Sequence, residues 1–360
     1  MKRLTDYTKL LLAVVFLFGA TACSGLIEHF DREICDYTVR LRYDYNEENT
    51  AQDNRFDYHI GTLDQYIFDE QGVLVAESTV TRDICDGTWH SDITLPPGRY
   101  SVIAVGNKDT RSEITDSRTG TAPAGGSTLR GDMRMTLKNC TENADGTRGP
   151  SERLYHGYRT FTITPTGVSS VRVDMVHSHL RLRFRVTWKS NPPADREDYF
   201  LTLETVPSQY ALMPQYYYPE GTFNCRSHDP SHCDPYRSVC NSVVHHIPYT
   251  CFEGSNMTVH RHDTYITNDN ELWSEFTSYR LKNDTPARLN IWHWDEDAQT
   301  AEKLLTKGID LRDYLVNFRG FNLDHTLKQD YELAITIDGD MAMITPLKVD
   351  DWEEGGTIQP

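Results

Sequence analysis

Leu180-Arg181-Leu182-Arg183-Phe184-Arg185-Val186 alternates apolar and basic residues with a period of two, the spacing at which a β-strand sends successive side chains to opposite faces. Arg181, Arg183 and Arg185 therefore share one face, and Leu182, Phe184 and Val186 share the other. One face meets a core and the other meets water. The same period recurs in Tyr37-Thr38-Val39-Arg40-Leu41-Arg42-Tyr43 and in Tyr331-Glu332-Leu333-Ala334-Ile335-Thr336-Ile337, so half-buried strands are expected along the whole chain.

Turn chemistry separates these runs. Asp69-Glu70-Gln71-Gly72 divides Tyr66-Ile67-Phe68 from Val73-Leu74-Val75, Pro96-Pro97-Gly98 precedes Arg99-Tyr100-Ser101-Val102, and Asp338-Gly339 precedes Met341-Ala342-Met343-Ile344. These patterns predict hairpins and β-arches. Only 298–316 reads as helical, and Gly308 interrupts it. Many short strands with little helix predict an all-β chain of β-sandwiches. Without its leader the chain keeps roughly 338 residues, more than one hydrophobic core usually covers, so two domains are expected. The boundary is placed near Pro165-Thr166-Gly167, giving 23–165 and 166–360. The Gly-, Ser- and Thr-rich stretch 109–128 reads as a mobile loop. An insertion at 207–252, rich in Tyr, Pro, His and Cys, reads as irregular rather than as a strand series.

The start of the chain reads as an export signal. Lys2, Arg3 and Lys9 precede an apolar run at 10–18, too short for the roughly 20 apolar residues of a spanning helix and suited to a signal peptide. Gly19-Ala20-Thr21-Ala22-Cys23 has the small-residue frame of a bacterial lipobox, with Ala20 where Leu is usual. Cleavage there makes 1–22 a lipoprotein signal peptide and Cys23 an acylated N-terminus; ordinary cleavage with a free Cys23 is the alternative. An N-acylated end exceeds the two signals that stable anchoring takes. Ser24 follows Cys23, with no Asp to suggest inner-membrane retention, so the outer membrane is the expected address.

The formal charge is −17, and it moves to about −19 when Lys2, Arg3, Lys9 and Asp6 leave with the leader. An acidic surface repels phosphate, which argues against a nucleic-acid partner and against electrostatic docking on anionic lipid. Attachment has to come from the lipid on Cys23. Seven further cysteines, Cys35, Cys85, Cys140, Cys225, Cys233, Cys240 and Cys251, are disulfide candidates in an oxidising compartment. The late four can form two bridges among themselves in any of three ways, and the early three leave one thiol over unless a bridge crosses between the groups.

Sites for chemistry are few. His228-x3-His232-Cys233 invites a zinc reading, but its spacing matches no paired C-x2-C module and disulfides compete for the thiolates, so no metal is expected. Arg130-Gly131-Asp132 is an integrin-type tripeptide lying beside an ordinary strand pattern. Asp295-Glu296-Asp297 near Trp292 and Trp294 reads as a solvated turn rather than a glycosidase pair, and Asp338-Gly339-Asp340 as a hairpin turn rather than a calcium loop. With no H-E-x-x-H, G-x-S-x-G or phosphate loop, neither catalysis nor a small-molecule cofactor is expected.

Several short segments in order carry a resemblance. They are Cys23, then Cys35-Asp36-Tyr37-Thr38-Val39 with Tyr43-Asp44-Tyr45-Asn46, then Leu63-Asp64-Gln65-Tyr66-Ile67-Phe68-Asp69-Glu70-Gln71-Gly72, then Leu95-Pro96-Pro97-Gly98-Arg99-Tyr100. Fainter matches follow at Leu154-Tyr155-His156-Gly157, at Gly308-Ile309-Asp310-Leu311 with Tyr314-Leu315, and at Asp351-Trp352. Together these resemble the FimB-type anchor subunits of type V fimbriae of the Bacteroidales. The resemblance implies two transthyretin-like β-sandwich domains in tandem and a role at the base of a surface filament. Stalk fimbrillins of that system are cut at an Arg in the first domain, which frees a groove for a donor strand; anchors are expected to keep their first strand and, with it, the lipid on Cys23. A disulfide from Cys35 to Cys85 or Cys140 would staple that strand. The fimbrial shaft subunit is the expected partner, by β-strand complementation at a C-terminal strand carrying Ile344, Leu347 and Val349. The Cys-rich insertion is foreign to the family pattern. The rival reading is a tip adhesin or a glycan- or host-protein-binding lipoprotein that uses Tyr216-Tyr217-Tyr218 and Trp292/Trp294 as platforms.

Overall fold

The computed structural model describes residues 38–45, 54–80, 88–138, 147–165, 169–190, 192–195, 198–217, 245–251, 257–266, 271–318, 321–324, 326, 328–339 and 341–349. They form four sheets, and the chain is nearly all β. Sheet I is built from β1 (Thr38–Tyr45), β2 (Leu63–Phe68), β3 (Leu74–Val80), β4 (His90–Thr94), β5 (Gly98–Gly106), β8 (Tyr155–Ile163) and β9 (Ser169–His177), in the order β3-β2-β5-β8-β9-β1-β4. Every neighbouring pair is antiparallel except β1 and β9.

Sheet I curls on itself. Val39, Leu41, Tyr43 and Tyr45 of β1 share one apolar cluster with Leu63 and Ile67 of β2, although three strands separate β1 from β2 in the sheet order. Phe56, from the single helical turn α1 (Phe56–His59), fills the same cluster and packs 5.0 Å from the Trp89 ring. The opposite face of β2, β5 and β8 is apolar too. Tyr66, Phe68, Ile103, Val105 and Tyr158 meet Ile114, Met133, Met135 and Tyr210 of sheet II, which has the order β13-β12-β7-β6 and comprises β6 (Ser112–Asp116), β7 (Met133–Leu137), β12 (Gln209–Tyr217) and β13 (His245–Cys251).

A second sandwich follows. Sheet III contains β10 (His179–Trp188), β15 (Tyr265–Ile266), β16 (Leu272–Tyr279), β20 (Gln329–Asp338) and β21 (Met341–Val349), in the order β15-β16-β10-β20-β21. Sheet IV contains β11 (Tyr199–Pro207), β14 (Met257–Asp263), β17 (Arg288–Asp295) and β18 (Thr300–Lys303), with β19 (Ile309–Asp310) beside β17. Leu180, Leu182, Phe184 and Val186 from the opening heptapeptide enter the core between these sheets with Leu201, Leu289 and Leu333. Each such side chain contributes roughly 1.5–3 kcal/mol on burial. The first strand of this part repeats the logic of β1: β10 is antiparallel to a middle strand, β16, and parallel to a late one, β20.

Four expectations change. The 207–252 segment is not irregular throughout, because β12 leaves the second sandwich to pair with β7 through Gln209↔Thr136, Tyr210↔Met135 and Ala211↔Arg134. The 109–128 segment contains β6, and its turn is held by Asp116, which accepts from Arg118 N at 2.9 Å and lies 3.2 Å from the Arg118 guanidinium. The helical expectation at 298–316 survives only as the turn α2 (Leu311–Asp313) and the π-type turn Tyr314–Phe318, with the Asp310 side chain accepting from Asp313 N at 2.7 Å. β9 lies beyond Pro165 yet still pairs with β8 and β1, so sheet membership changes at Ser178 rather than at Pro165-Thr166-Gly167.

The joint between the two sandwiches is polar. Tyr210 and Tyr279 stack 4.4 Å apart; the Tyr210 hydroxyl donates to Ser178 O and accepts from Arg280 N at 2.8 Å. Arg280, 2% exposed, donates to His177 O at 2.8 Å and to Thr326 O. Ser112 links sheet II to sheet III through the Tyr279 hydroxyl at 2.9 Å. His177 and His179 flank Ser178 with ring centroids 3.6 Å apart, and Tyr155 stands edge-on to both. Since the Leu154 carbonyl can only accept, His179 carries its proton on Nδ1, 3.0 Å away.

Candidate functional site

β1 is held on both sides. It runs parallel to β9 over seven register positions, Val39↔Ser169 to Tyr45↔Met175, and antiparallel to β4 over five, Thr38↔Thr94 to Arg42↔His90. Its odd-numbered side chains are at most 3% exposed, while the even-numbered ones tie it down outside. Arg40 grips Asp92 with two bonds of 2.8 Å, which lower the Asp92 carboxyl below its usual range, and Arg172 reaches Asp44 at 3.1 Å. The Tyr43 hydroxyl reaches across the core to Gln65. A strand so placed closes the space between two sheet edges; without it, β9 and β4 would each present an unpaired row of N–H and C=O groups.

β21 is the opposite case, an edge strand with no second neighbour among the described residues. The Asp338-Gly339 turn that feeds it has Gly339 at φ +64°, as a tight hairpin requires. Ala342 and Ile344 turn inward onto the core between sheets III and IV. Met341, Met343 and Leu347 turn outward, 63%, 61% and 40% exposed. Of the three strand residues expected to touch a partner, Leu347 thus faces solvent, Ile344 packs inside, and Val349 pairs with Tyr331 in the backbone ladder while its side chain lies outside the described residues.

Beside that apolar edge, the outer face of sheet III is a ladder of ion pairs. Arg181 reaches Glu275 at 2.8 Å and Asp330 at 3.8 Å, Arg183 reaches Glu332 at 2.5 Å, and Arg185 reaches Glu271 at 3.2 Å. Burial raises the Glu275 carboxyl, and the guanidinium groups around it, Arg181 first with Arg153 and Arg183, together outweigh it, leaving a net lowering. The alternating arginines of the opening heptapeptide are thereby half-buried and paired.

The other sequence candidates are packed into the fold. Arg130–Asp132 is a 3-10 turn in which Arg130 donates to Ser101 at 2.7 Å and Tyr158 at 3.0 Å, and Asp132 pairs with Arg118 at 2.8 Å. Trp292 stacks on Phe200 and donates to Thr202 Oγ1 at 2.9 Å. Asp295 accepts from Ala298 N at 2.9 Å, as in a capped turn. Asp195, Asp198 and His293 bring their ligand atoms within 4.8 Å of one another, with Asp195 already 2.9 Å from His293. A cleft of about 520 Å³ lies among Asn107, Asp109, Arg111, Glu152, Arg153 and Thr277. Asp109 and Arg111 pair within it and Arg153 reaches out to Glu275 at 3.3 Å; burial raises the Asp109 carboxyl but Arg111 outweighs this, holding it at about 2, while burial pushes Glu152 up. Cys23, Cys35, Cys85, Cys140, Cys225, Cys233 and Cys240, the His228/His232 group and Tyr218 lie outside the described residues, as do the side chains of Cys251, Tyr216 and Tyr217. Among the described residues no helix is long and apolar enough to cross a membrane.

Comparison with known proteins places this geometry. Residues 32–355 match the family model of fimbrillin-A associated anchor proteins Mfa1 and Mfa2. Among solved structures, the fimbrial anchor protein Mfa2 from Porphyromonas gingivalis is similar at 14% identity, with a TM-score of 0.56 over 85% of this chain and 94% of that one. A candidate adhesin from Bacteroides ovatus is similar at 14% identity and a TM-score of 0.59, over 87% of this chain and 94% of that one. A candidate polysaccharide-binding protein from Bacteroides thetaiotaomicron gives 14% and 0.59, over 87% and 99%. At such identities these likenesses concern the fold. No curated protein sequence matches the chain.

Proposed function

The chain belongs to the family of fimbrillin-A associated anchor proteins, and from that premise we propose that it is the lipid-tethered foot of a fimbria. On this reading Cys23 is acylated and inserted in the outer membrane, the first strand stays in its sheet, and two domains dividing at Ser178 carry the load to a shaft subunit. The observation that carries it is the seating of β1 between β9 and β4, with four buried side chains and backbone pairing on both sides. A subunit whose slot is filled by its own strand accepts no donor, so a polymer ends there.

Contact with the shaft is assigned to β21. Among the described residues it offers an open backbone edge for strand complementation and, next to it, Met341, Met343 and Leu347 as apolar contacts. No catalytic step is part of this reading. Capture of a glycan on aromatic platforms has less support, because Trp292 is spent on Phe200 and Thr202.

The test uses cells whose own copy is replaced by Cys23→Ser or by Met343→Lys. Both variants should shed fimbriae into the medium, the first because the foot is loose, the second because a charge sits on the contact stripe. Met343→Lys should change folding stability by no more than about 0.5 kcal/mol, as is usual for exposed positions. Full retention of fimbriae by Cys23→Ser cells would overturn the tether, and retention by Met343→Lys cells would overturn the assignment of β21.

A further inference from the structure

Side chains from three strands end on one amide. The Oε1 of Gln65 on β2 accepts from the Tyr43 hydroxyl of β1 and from Ser91 Oγ of β4 at 3.0 Å, and its Nε2 donates to Ser78 Oγ of β3 at 2.7 Å. Gln65 is 1% exposed and faces the apolar cluster inside the curl of sheet I. Tyr43 is equally buried, and burial pushes its hydroxyl far above the usual phenol range, so it stays protonated and donates.

The asymmetry of buried hydrogen bonds gives this arrangement its selectivity. A made bond gains little over water, whereas a buried polar group without its partner carries a large penalty. Val39 and Leu41 present no such demand in the core; their apolar surfaces fit any aliphatic slot. Tyr43 fits only where an acceptor waits. A slip of β1 by one residue turns its apolar set outward and brings Arg42 or Asp44 to the core, and a slip by two moves the Tyr43 hydroxyl off the amide and in one direction sets Leu41 against it.

We propose that Gln65 is the positioning residue for the first strand: it fixes the register of β1 and holds it in its slot through the Tyr43 hydroxyl, with Ser78 and Ser91 setting the direction of the amide. The proposal deepens the reading of the chain as a filament's end piece and rests on it for its biological meaning, since it names the side chain that does the retaining.

Hydrogen exchange on the purified full-length protein tests it without any fimbria present, so its failure is separate from failure of the anchor reading. Gln65→Leu should speed exchange of the Thr38–Tyr45 amides roughly tenfold or more, by local opening of β1, while the Gly98–Gly106 amides of neighbouring β5 keep their wild-type rates. Adding Tyr43→Phe to Gln65→Leu should restore protection of β1, because the stranded hydroxyl is then gone; a role in general packing would give no such rescue. Should Gln65→Leu fail to fold, Ser91→Ala and Tyr43→Phe each remove one arm and are read the same way, with smaller increases confined to β1. Unchanged exchange in β1, an equal rise in β1 and β5, or absence of rescue would each overturn the proposal.

Discussion

Lowering the pH from about 6.5 to about 4.5 should weaken the fold through two histidines at the joint between the sandwiches. His177 and His179 are 5% and 2% exposed, with rings 3.6 Å apart. Burial is the chief reason both resist protonation, and the surrounding charges add to it. His179, Arg280, Lys328 and His59 act on His177; Arg153, Arg280 and Arg181 act on His179, where the bond to Leu154 O pulls weakly the other way. The result drops His179 to about 3 and His177 well below its ordinary range. An unfolded chain takes up each proton near pH 6.5, so between there and about 3 the unfolded state binds more protons. Stability then rises with pH: the contribution is whole above about 6.5 and is lost as the pH falls. At about 1.4 kcal/mol per pH unit and group, His179 alone loses about 3 kcal/mol by pH 4.5, and His177 adds in the same direction. That is a large share of the 5–15 kcal/mol typical of a folded domain. Urea midpoints across this range, compared with those of His177→Leu/His179→Asn, isolate the effect. The side-chain amide introduced by His179→Asn retains a donor for Leu154 O, and carboxylates such as Asp109 and Glu152 titrate alike in both proteins. Equal pH slopes in the two proteins would refute the reasoning.

Two further perturbations probe the packing and the charge ladder. Gly157→Ala should destabilise by about 1–3 kcal/mol, because a Cβ there meets Met175 Sδ at 2.6 Å and Val173 Cγ1 at 3.0 Å across the β8–β9 pair; a neutral denaturant midpoint would contradict it. A double-mutant cycle on Arg181→Ala and Glu275→Ala should give a coupling of roughly 0.5–1 kcal/mol that shrinks in high salt, since both side chains are about a quarter exposed, at 24% and 29%. A salt-independent coupling would mean the pair is shielded from solvent.

The strands of sheets I and III were legible because period-two alternation is a property of the chain itself. Leu180–Val186 and Thr38–Tyr45 announce both their faces, and Gly72 and Gly339, at φ +80° and +64°, mark hairpins that their local sequence predicts. β6 was not legible, because in Ser112-Glu113-Ile114-Thr115-Asp116 only Ile114 looks apolar, while Ser112 is buried by bonds to Glu152 and Tyr279 from other parts of the chain and Asp116 by the turn that Arg118 closes. β12 hid for a related reason. Pro207 and Pro214 suggest a loop, yet Tyr210 and Leu212 alternate into the core of the first sandwich, and nothing local says that the chain crosses back. The polymer-contact candidates Ile344 and Leu347 do not share a face: Ile344 packs inward, and the pleat groups Leu347 with Met341 and Met343 on the outer face. The Gln65 clamp could have been suspected from a lone amide within Leu63-Asp64-Gln65-Tyr66-Ile67, on the same face as Leu63 and Ile67.

The parallel alignment of β1 with β9 has a mechanical consequence. Were the amino terminus tethered as proposed, tension on it would pull β1 backward along its own axis, while the rest of the chain, leaving β9 through Ser178, would pull that strand forward. The seven paired positions are then strained side by side and must yield together, rather than peeling one rung at a time like a zipper. On the proposed reading as a filament's foot, the chain resists traction through the direction of its first strand, and turning β1 end for end would forfeit that resistance even with every contact area preserved.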